Sequence, residues 1–161
     1  MGIFIRVGVS FGNIYIDPES EQVFGPAMVR SYEIESREAI HPRIVVDNDA
    51  LRTWTADPRL RDSLQEEWEY IQKFLQEDND KCFVNYLETM FFESDDTQQS
   101  INLLSTHKEK IVEQLDRANL SDRVRQKFVW LSDYHNSVIQ RLIVRCPGDT
   151  HLTNSELLIA P

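Results

Sequence analysis

The feature that most constrains the fold is the apolar run at residues 3–11, Ile-Phe-Ile-Arg-Val-Gly-Val-Ser-Phe. Its β-branched residues alternate, which is typical of a strand with one apolar face. Gly8 lies on the opposite face, where a missing side chain lets another group approach the backbone closely. The Gly12-Asn13 dipeptide is typical of a tight turn. The sequence therefore predicts a hairpin over residues 3–16.

A helix and a short strand are expected next. Pro26 fits the first turn of a helix, where its missing N–H costs nothing. This helix must stop near Ile40, because Pro42 disfavours helical geometry in the residue before it. Residues 43–47 are predicted to form a short buried strand, and Asn48 is predicted to cap a second helix.

The middle of the chain predicts a second hairpin. Residues 70–75 and 82–86 flank the turn-forming sequence Asp78-Asn79-Asp80. The apolar spacing through residues 68–75 also fits a helix, so both alternatives stay open there. The acidic residues of 93–98 predict a loop.

Two helices are predicted toward the end of the chain, over residues 97–118 and from Asn119 or Ser121 onward. Apolar residues of the second recur at intervals of four and three, the period of one buried helical stripe. That stripe contains Val124, Phe128, Leu131, His135, Val138 and Leu142. The two helices are expected to form an antiparallel hairpin. The tail after Gly148 is expected to be loosely held or to pack as a short strand.

Composition restricts the class of protein. The 161 residues, 41% of them hydrophobic, suit one domain, or a small domain with an extension. A formal net charge of −10 argues against non-specific nucleic-acid binding, which requires many Lys and Arg side chains. Cys82 and Cys146 form no metal-binding pair and are expected to be small buried thiols. Without a signal peptide or an apolar span in the sequence, we expect a cytoplasmic protein with no membrane partner.

The order of several motifs resembles the second half of a class III nucleotidyl cyclase domain. That family has a strand of pattern R-x-G-[IV]-x-x-G, a hairpin return, a helix led by F-G, and a further strand. Here these correspond to residues 6–12, to Phe24-Gly25, and to the strand that begins at Arg43.

The sequence resembles more closely the bacterial pyrimidine (uridylate) cyclases of antiphage defence. The shared motifs are Phe-Gly-Pro-Ala at 24–27, Ser-Tyr-Glu-Ile-Glu at 31–35, Pro-Arg-Ile-Val-Val at 42–46 and Trp-Leu-Ser-Asp-Tyr-His-Asn at 130–136. The resemblance implies an α+β fold with a partial ferredoxin-like cyclase sheet (hairpin, helix, strand) and a C-terminal helical hairpin. We expect a cyclase-like domain over residues 1–92, a helical hairpin over 93–146 and a tail over 147–161.

The resemblance also implies a chemistry. A metal-dependent lyase of this class converts a nucleoside triphosphate, here UTP in the closest branch, to a 3′,5′-cyclic nucleotide. It does so with two Mg²⁺ or Mn²⁺ ions, which activate the 3′-hydroxyl and neutralise the triphosphate. The two metal-binding Asp residues of the family would lie before Met1. The chain alone is therefore expected to bind no metal and to work as a homodimer or as a heterodimer with a cyclase.

Five residues are nucleotide-binding candidates: Gly8, Gly12, Arg30, Tyr32 and Arg43. Each has a structural alternative. The two glycines suit a bulge and a turn, and Arg30 suits a solvated helix surface. Tyr32 suits a core or an interface, and Arg43 suits an ion pair with Glu33 or Glu35.

The helix after Phe24-Gly25 departs from the family. Cyclases of this class place an Asn and an Arg four residues apart there, so that both orient the ribose and the transferring phosphoryl group. The aligned positions hold Val29 and Glu33, which cannot do this. No catalytic residue is assigned.

The remaining histidines have simpler explanations. His135 lies on an apolar stripe and is expected to be a hydrogen-bonded core residue, whereas His41 and His107 have no evident partner in the sequence.

Two functions remain open. The first is a cyclase whose chain is incomplete, so that cyclic nucleotide forms only with metal-bearing strands from elsewhere. The alternative is a non-catalytic cyclase-like module that binds or regulates a partner cyclase. The alternative is favoured by the expectation that the strand at 3–11, without its missing neighbours, exposes an apolar face and edge.

Overall fold

The computed structural model describes residues 4–59, 65–152 and 155–160, and these form an α+β fold. Its strands are β1 (Val7–Val9), β2 (Tyr15–Ile16), β3 (Val23–Phe24), β4 (Ile44–Val46), β5 (Leu75–Asp78) and β6 (Lys81–Val84). Its α-helices are α1 (Pro26–Glu33), α2 (Asn48–Ala56), α3 (Gln65–Gln72), α4 (Tyr86–Glu93), α5 (Thr97–Leu115) and α6 (Asp122–Arg145). The chain divides into an N-terminal unit, Phe4–Asn85, and a C-terminal unit that starts at Tyr86. This division falls before the expected boundary at residue 92.

A mixed four-stranded sheet organises the N-terminal unit, in the order β1-β4-β6-β5. Strands β1 and β4 are parallel and direct neighbours, with Gly8 opposite Val45, and helix α1 lies in the connection between them. Parallel neighbours require such a crossover. A ferredoxin-like unit instead places another strand between its parallel pair. The observed class is therefore α+β, with a simple βαβ connection.

The predicted hairpin over residues 3–16 is wrong. Strand β1 pairs with β4, and the antiparallel partner of β2 is β3, with Tyr15 opposite Phe24. The turn at Gly12 instead directs the chain away from the main sheet, and the amide of Ala27 donates to the carbonyl of Asn13 at 3.3 Å. A distant partner strand with a buried face thus outcompetes the local turn signal.

The helix that begins at Pro26 is confirmed, and its last turn widens. Residues Ile34–Glu38 form a π-helix, and the expected stop near residue 40 is correct to within two residues. Ile34 and Ala39 are buried with Val45 of β4, and these three form the core beneath the helix. The strand predicted at 43–47 is confirmed as β4.

The cap of α2 differs from the prediction. Asp47, not Asn48, is the N-cap residue, and its carboxylate accepts a hydrogen bond from the amide of Asp49 at 3.4 Å. Asp47 can do this because its backbone is extended, with ψ at 116°, whereas Asn48 is already helical.

A second hairpin is present as β5 and β6, but its first strand, predicted at 70–75, lies at Leu75–Asp78. Both central residues of its turn, Asn79 and Asp80, have positive φ, at 50° and 61°. The helical alternative is correct for residues up to Gln72, which belong to α3. The chain thus changes from helix to strand within residues 73–74.

The helical hairpin of the C-terminal unit is confirmed. Asp96 caps α5 by accepting from the amides of Gln98 and Gln99, at 2.8 and 3.2 Å. Ser121 is the N-cap residue of α6. The predicted stripe of α6 is buried from Leu131 onward, while Val124 and Phe128 at its start are half-buried.

The described part of the tail, residues 147–152 and 155–160, forms no strand and is packed rather than loosely held. Residues Ser155–Leu157 form a 3₁₀ turn, and Leu152, Leu157 and Ile159 are buried. The side chain of Asn136 exchanges two hydrogen bonds with the backbone of Ile159, both at 2.9 Å. Side chains of α6 therefore hold this segment in place.

Two further expectations concern exposure. Cys82 is buried and Cys146 is half-buried, and both are free thiols. Within the parts of the chain that the structure describes, no helix combines the length and the apolar character needed to cross a bilayer.

Candidate functional site

Polar side chains converge where the parallel strands β1 and β4 end. Ser10 follows β1 and Asp47 follows β4, and the Ser10 hydroxyl donates to the Asp47 carboxylate at 3.2 Å. Because the carboxyl ends of parallel strands share one edge of a sheet, such an edge commonly positions functional groups. Residues from α1 and the π-helix complete the cluster.

Arg30 of α1 is the centre of this cluster. Its Nε and Nη2 donate to the two carboxylate oxygens of Asp47, at 3.2 and 3.0 Å, and its Nη1 donates to Glu38 at 2.6 Å. Lys81 of β6 binds the other oxygen of Glu38. Arg30 was expected on a solvated helix surface. Its side chain is 36% exposed, but its fork-shaped guanidinium is also held by two carboxylates.

The charges of this cluster stabilise one another. Burial raises the pKa of Asp47, but the hydrogen bond and charge of Arg30, with the Asp49 amide and the Ser10 hydroxyl, outweigh it and hold that pKa below its ordinary value. The Lys81 ammonium, and after it Arg30, lowers the pKa of Glu38. Two cations thus face two carboxylates, and the cluster is an internally neutralised ion-pair network.

Gly8 packs against helix α1. A Cβ atom built on Gly8 would lie 2.1 Å from the carbonyl oxygen of Ser31 and 2.9 Å from the amide nitrogen of Glu35. The close approach predicted for this position is therefore made by the backbone of the helix. Gly12 has a φ of 154° and lies above the side chain of Ala27, 3.4 Å from a built Cβ. The nucleotide-binding role of both glycines stays a prediction.

The other two candidates, Tyr32 and Arg43, differ in solvent exposure. Tyr32 is 69% exposed, so it is not a core residue. Arg43 is 4% exposed, and its Nη1 donates to Asp78 at 2.7 Å, with its guanidinium over the ring of Phe83. An ion pair of Arg43 exists, but the partner is Asp78 at the end of the edge strand β5 rather than Glu33 or Glu35.

The implied metal chemistry finds no matching ligand set. Across residues 4–59, 65–152 and 155–160, no three His, Cys, Asp or Glu side chains are grouped so that they could hold a metal ion. Asp47, at the strand edge, has both oxygens on Arg30. The side chains of the described residues therefore do not fit the two-metal site that the resemblance implies.

Strands β2 and β3 and the residues next to them, 14–24, form a two-stranded ribbon that we call the hairpin arm. The hairpin arm exposes large apolar side chains. Tyr15 and Phe24 stack at 5.7 Å and are 56% and 55% exposed. Ile16 and Val23 are opposite each other in the register and are 64% and 44% exposed. Side chains of successive residues point to opposite faces of a strand, so the arm exposes an apolar pair on each face.

Helix α1 continues this apolar character. Met28, Val29 and Tyr32 are 52%, 59% and 69% exposed. Positions i, i+1 and i+4 lie on one face of a helix. The helix therefore carries one apolar face toward the outside of the unit.

A chain of hydrogen bonds runs through the C-terminal unit. Nε2 of His135 lies 2.9 Å from the carbonyl oxygen of Leu157, which can only accept, so this nitrogen carries the proton. Nδ1 of His135 then accepts from Nδ1–H of His107 at 3.1 Å. Nε2 of His107 accepts in turn from the hydroxyl of Tyr86 at 2.6 Å. The carbonyl of Leu157, at one end of this series, thus fixes the donor and acceptor of all three hydrogen bonds.

Both imidazoles of this chain are held neutral. Burial, and then the neighbouring His135, lowers the pKa of His107 to about 3. Burial is also the main cause that lowers the pKa of His135, against the hydrogen bond to Leu157. The prediction of a hydrogen-bonded core histidine is confirmed for His135. His107, for which the sequence shows no evident partner, contacts Tyr86 and His135. Its place in the 4-3-4 pattern of Ser100, Leu104, His107 and Ile111 was the missed signal.

Comparison with known proteins adds no identification. No family model matches this chain, and neither the curated proteins nor the solved structures contain a significant match.

Proposed function

We propose that this chain is a non-catalytic, nucleotidyl-cyclase-related module that binds a partner cyclase and regulates it. The observation that carries the proposal is the engagement of Arg30. Its guanidinium forms a two-point contact with Asp47 and a third contact with Glu38. A phosphate would have to displace two carboxylates from it at the cost of leaving Asp47, 7% exposed, without its cation.

The neighbouring helix positions support the same proposal. Val29 and Glu33 occupy the positions where the resemblance implies Asn and Arg. An aliphatic side chain offers no hydrogen bond, and a carboxylate repels a triphosphate. Helix α1 is therefore better suited to contact a protein than to stabilise a phosphoryl transition state.

The cyclase relationship is supported by the sequence motifs. It is also supported by the helix that follows Phe24-Gly25 and leads into strand β4, as the resemblance implies. The ferredoxin-like assignment stays part of this proposal and rests on the sequence motifs alone, because β1 and β4 pair directly in the described sheet.

The test is an assay of cyclic-nucleotide formation. The purified chain, given UTP, CTP, ATP or GTP with Mn²⁺, is expected to form no cyclic nucleotide. Added in equimolar amount to a bacterial uridylate cyclase, it is expected to change that enzyme's rate several-fold. Turnover by the chain alone would overturn the proposal, and an unchanged rate in the mixture would remove its regulatory part.

A further inference from the structure

The hairpin arm is a small sheet whose large apolar side chains are exposed to solvent. It forms a separate sheet of two strands, and each strand is two residues long. A two-stranded ribbon on its own is only marginally stable in water. Both of its faces carry large apolar side chains that are 44% exposed or more. Such a ribbon gains stability when another surface covers it.

The exposed apolar area is large enough to matter. Taking 150–250 Å² for a whole aromatic side chain, the rings of Tyr15 and Phe24 alone leave roughly 200 Å² exposed. Ile14, Ile16 and Val23 add to this area on both faces. Contiguous apolar surface of several hundred Å² marks interaction sites on otherwise stable proteins.

The tip of the arm determines the charge of a suitable partner. Residues 17–21 contain three carboxylates, Asp17, Glu19 and Glu21, and the whole arm contains no Lys, Arg or His. The Ser20 hydroxyl and the Glu19 amide lower the pKa of Asp17, which keeps it ionised. The first cations that follow the arm in the sequence do not neutralise its tip. Arg30 is already paired with Asp47, and Arg37 comes more than ten residues after the arm.

A second copy of this chain is a poor occupant for such a surface. Each copy has a formal net charge of −10 and brings its own acidic tip. Like charges brought together across an interface cost free energy, whereas opposite charges increase both specificity and association rate. The charge of the arm therefore favours a different protein.

We propose that the hairpin arm inserts into an apolar cleft on a different protein, and that Lys or Arg side chains edge this cleft. The apolar pairs Tyr15–Phe24 and Ile16–Val23 contact the two walls, and the carboxylates of the tip contact the cations at the edge. This inference rests on the proposed function, of which it names the docking element and the chemistry of the partner.

The first test is the oligomeric state of the chain. Sedimentation velocity at 5–200 µM is expected to show a monomer in 50 mM NaCl. A dimer at that salt concentration that dissociates on Ile16→Ser would overturn the proposal, since a second copy would then be the occupant.

The second test uses two synthetic amphipathic peptides as probes, one with Leu and Lys and one with Leu and Glu in the same pattern. The chain is expected to bind the Leu/Lys peptide at least tenfold more tightly. Ile16→Ser and Tyr15→Ser are each expected to weaken this binding tenfold or more. Val144→Ser is the matched control, because Val144 is 79% exposed but lies outside the arm.

Substitutions of the apolar side chains could unfold the arm, so variants of its exposed charges provide a second test. Glu19→Gln with Glu21→Gln is expected to weaken binding of the Leu/Lys peptide three- to tenfold and to flatten its dependence on salt. Equal affinity for the two peptides, no binding of either, or indifference to the arm substitutions would overturn the proposal. Cyclic-nucleotide formation by the chain would overturn the proposed function alone and leave these results unchanged.

Discussion

The Nδ1 atoms of His107 and His135 face each other at 3.1 Å, and one proton lies between them. There is no place for a second proton, because two N–H groups would then point at each other. The far nitrogen of His135 is already committed as a donor to Leu157, and that of His107 accepts from Tyr86. Tyr134 and Lys108 are the other titratable groups that influence the pair.

The C-terminal unit is expected to lose stability in mild acid. The folded-state pKa of His107 is about 3, below the value of 6.5 in an unfolded chain. The unfolded state therefore binds the additional proton first, and stability falls as the pH drops below 6.5. Between pH 7 and pH 5, His107 alone should cost about 2 kcal/mol.

Hydrogen exchange of helices α5 and α6 at the two pH values measures this effect. His107→Gln should remove most of the pH dependence, while His151→Gln, at an exposed position, should leave it intact. Equal protection free energies at pH 5 and pH 7 in the unmodified chain would contradict the prediction.

Gly8→Ala is expected to destabilise the N-terminal unit by about 3 kcal/mol. The added methyl group meets the backbone of α1 at 2.1 Å, so the helix must move off the sheet. Urea unfolding followed by circular dichroism measures the loss. Gly148→Ala is the control, because nothing lies within 4 Å of its added atom, and a similar loss there would show that packing against α1 is not the cause.

Arg30→Gln is expected to cost about 2 kcal/mol, since Asp47 then keeps its charge without its main partner. Arg52→Gln is the matched control. Arg52 also pairs with an aspartate, but both side chains are about 80% exposed (79% and 81%), and such pairs contribute little. Midpoints of urea unfolding compare the two variants, and equal midpoints would argue against a structural role for the Arg30 network.

The turn between β5 and β6 offers a test of backbone strain. Asp80 has a φ of 61°, a region that glycine adopts freely and β-branched residues avoid. Asp80→Gly should therefore be at least about 1 kcal/mol more stable than Asp80→Val. Thermal unfolding of the two variants measures the difference, and the reverse order would show that the turn changes its geometry.

Local patterns predicted helices α1, α2, α5 and α6, but not α4. The stripe of α6 and the hairpin around Asn79 and Asp80 depend on neighbours in sequence, so spacing and turn chemistry sufficed. His107 was missed although it lies on a comparable stripe, because Ser100 and His107 interrupt the apolar pattern of that stripe.

Long-range pairing was beyond the sequence patterns. Strand β1 pairs with β4, more than thirty residues away, rather than with the residues just after the turn at Gly12. The partners of Arg30 and Arg43 were likewise misjudged, because Asp47 and Asp78 reach them only through the order of strands in the sheet. Side-chain partners of this kind follow from topology rather than from spacing along the chain.

The direction of the hydrogen bonds from Tyr86 to Leu157 makes two chemically identical rings into opposite tautomers. His107 carries its hydrogen on Nδ1 and His135 carries its hydrogen on Nε2. Their ring nitrogens should consequently give mirrored ¹⁵N chemical shifts, so this buried pair provides its own spectroscopic label for an intact C-terminal unit.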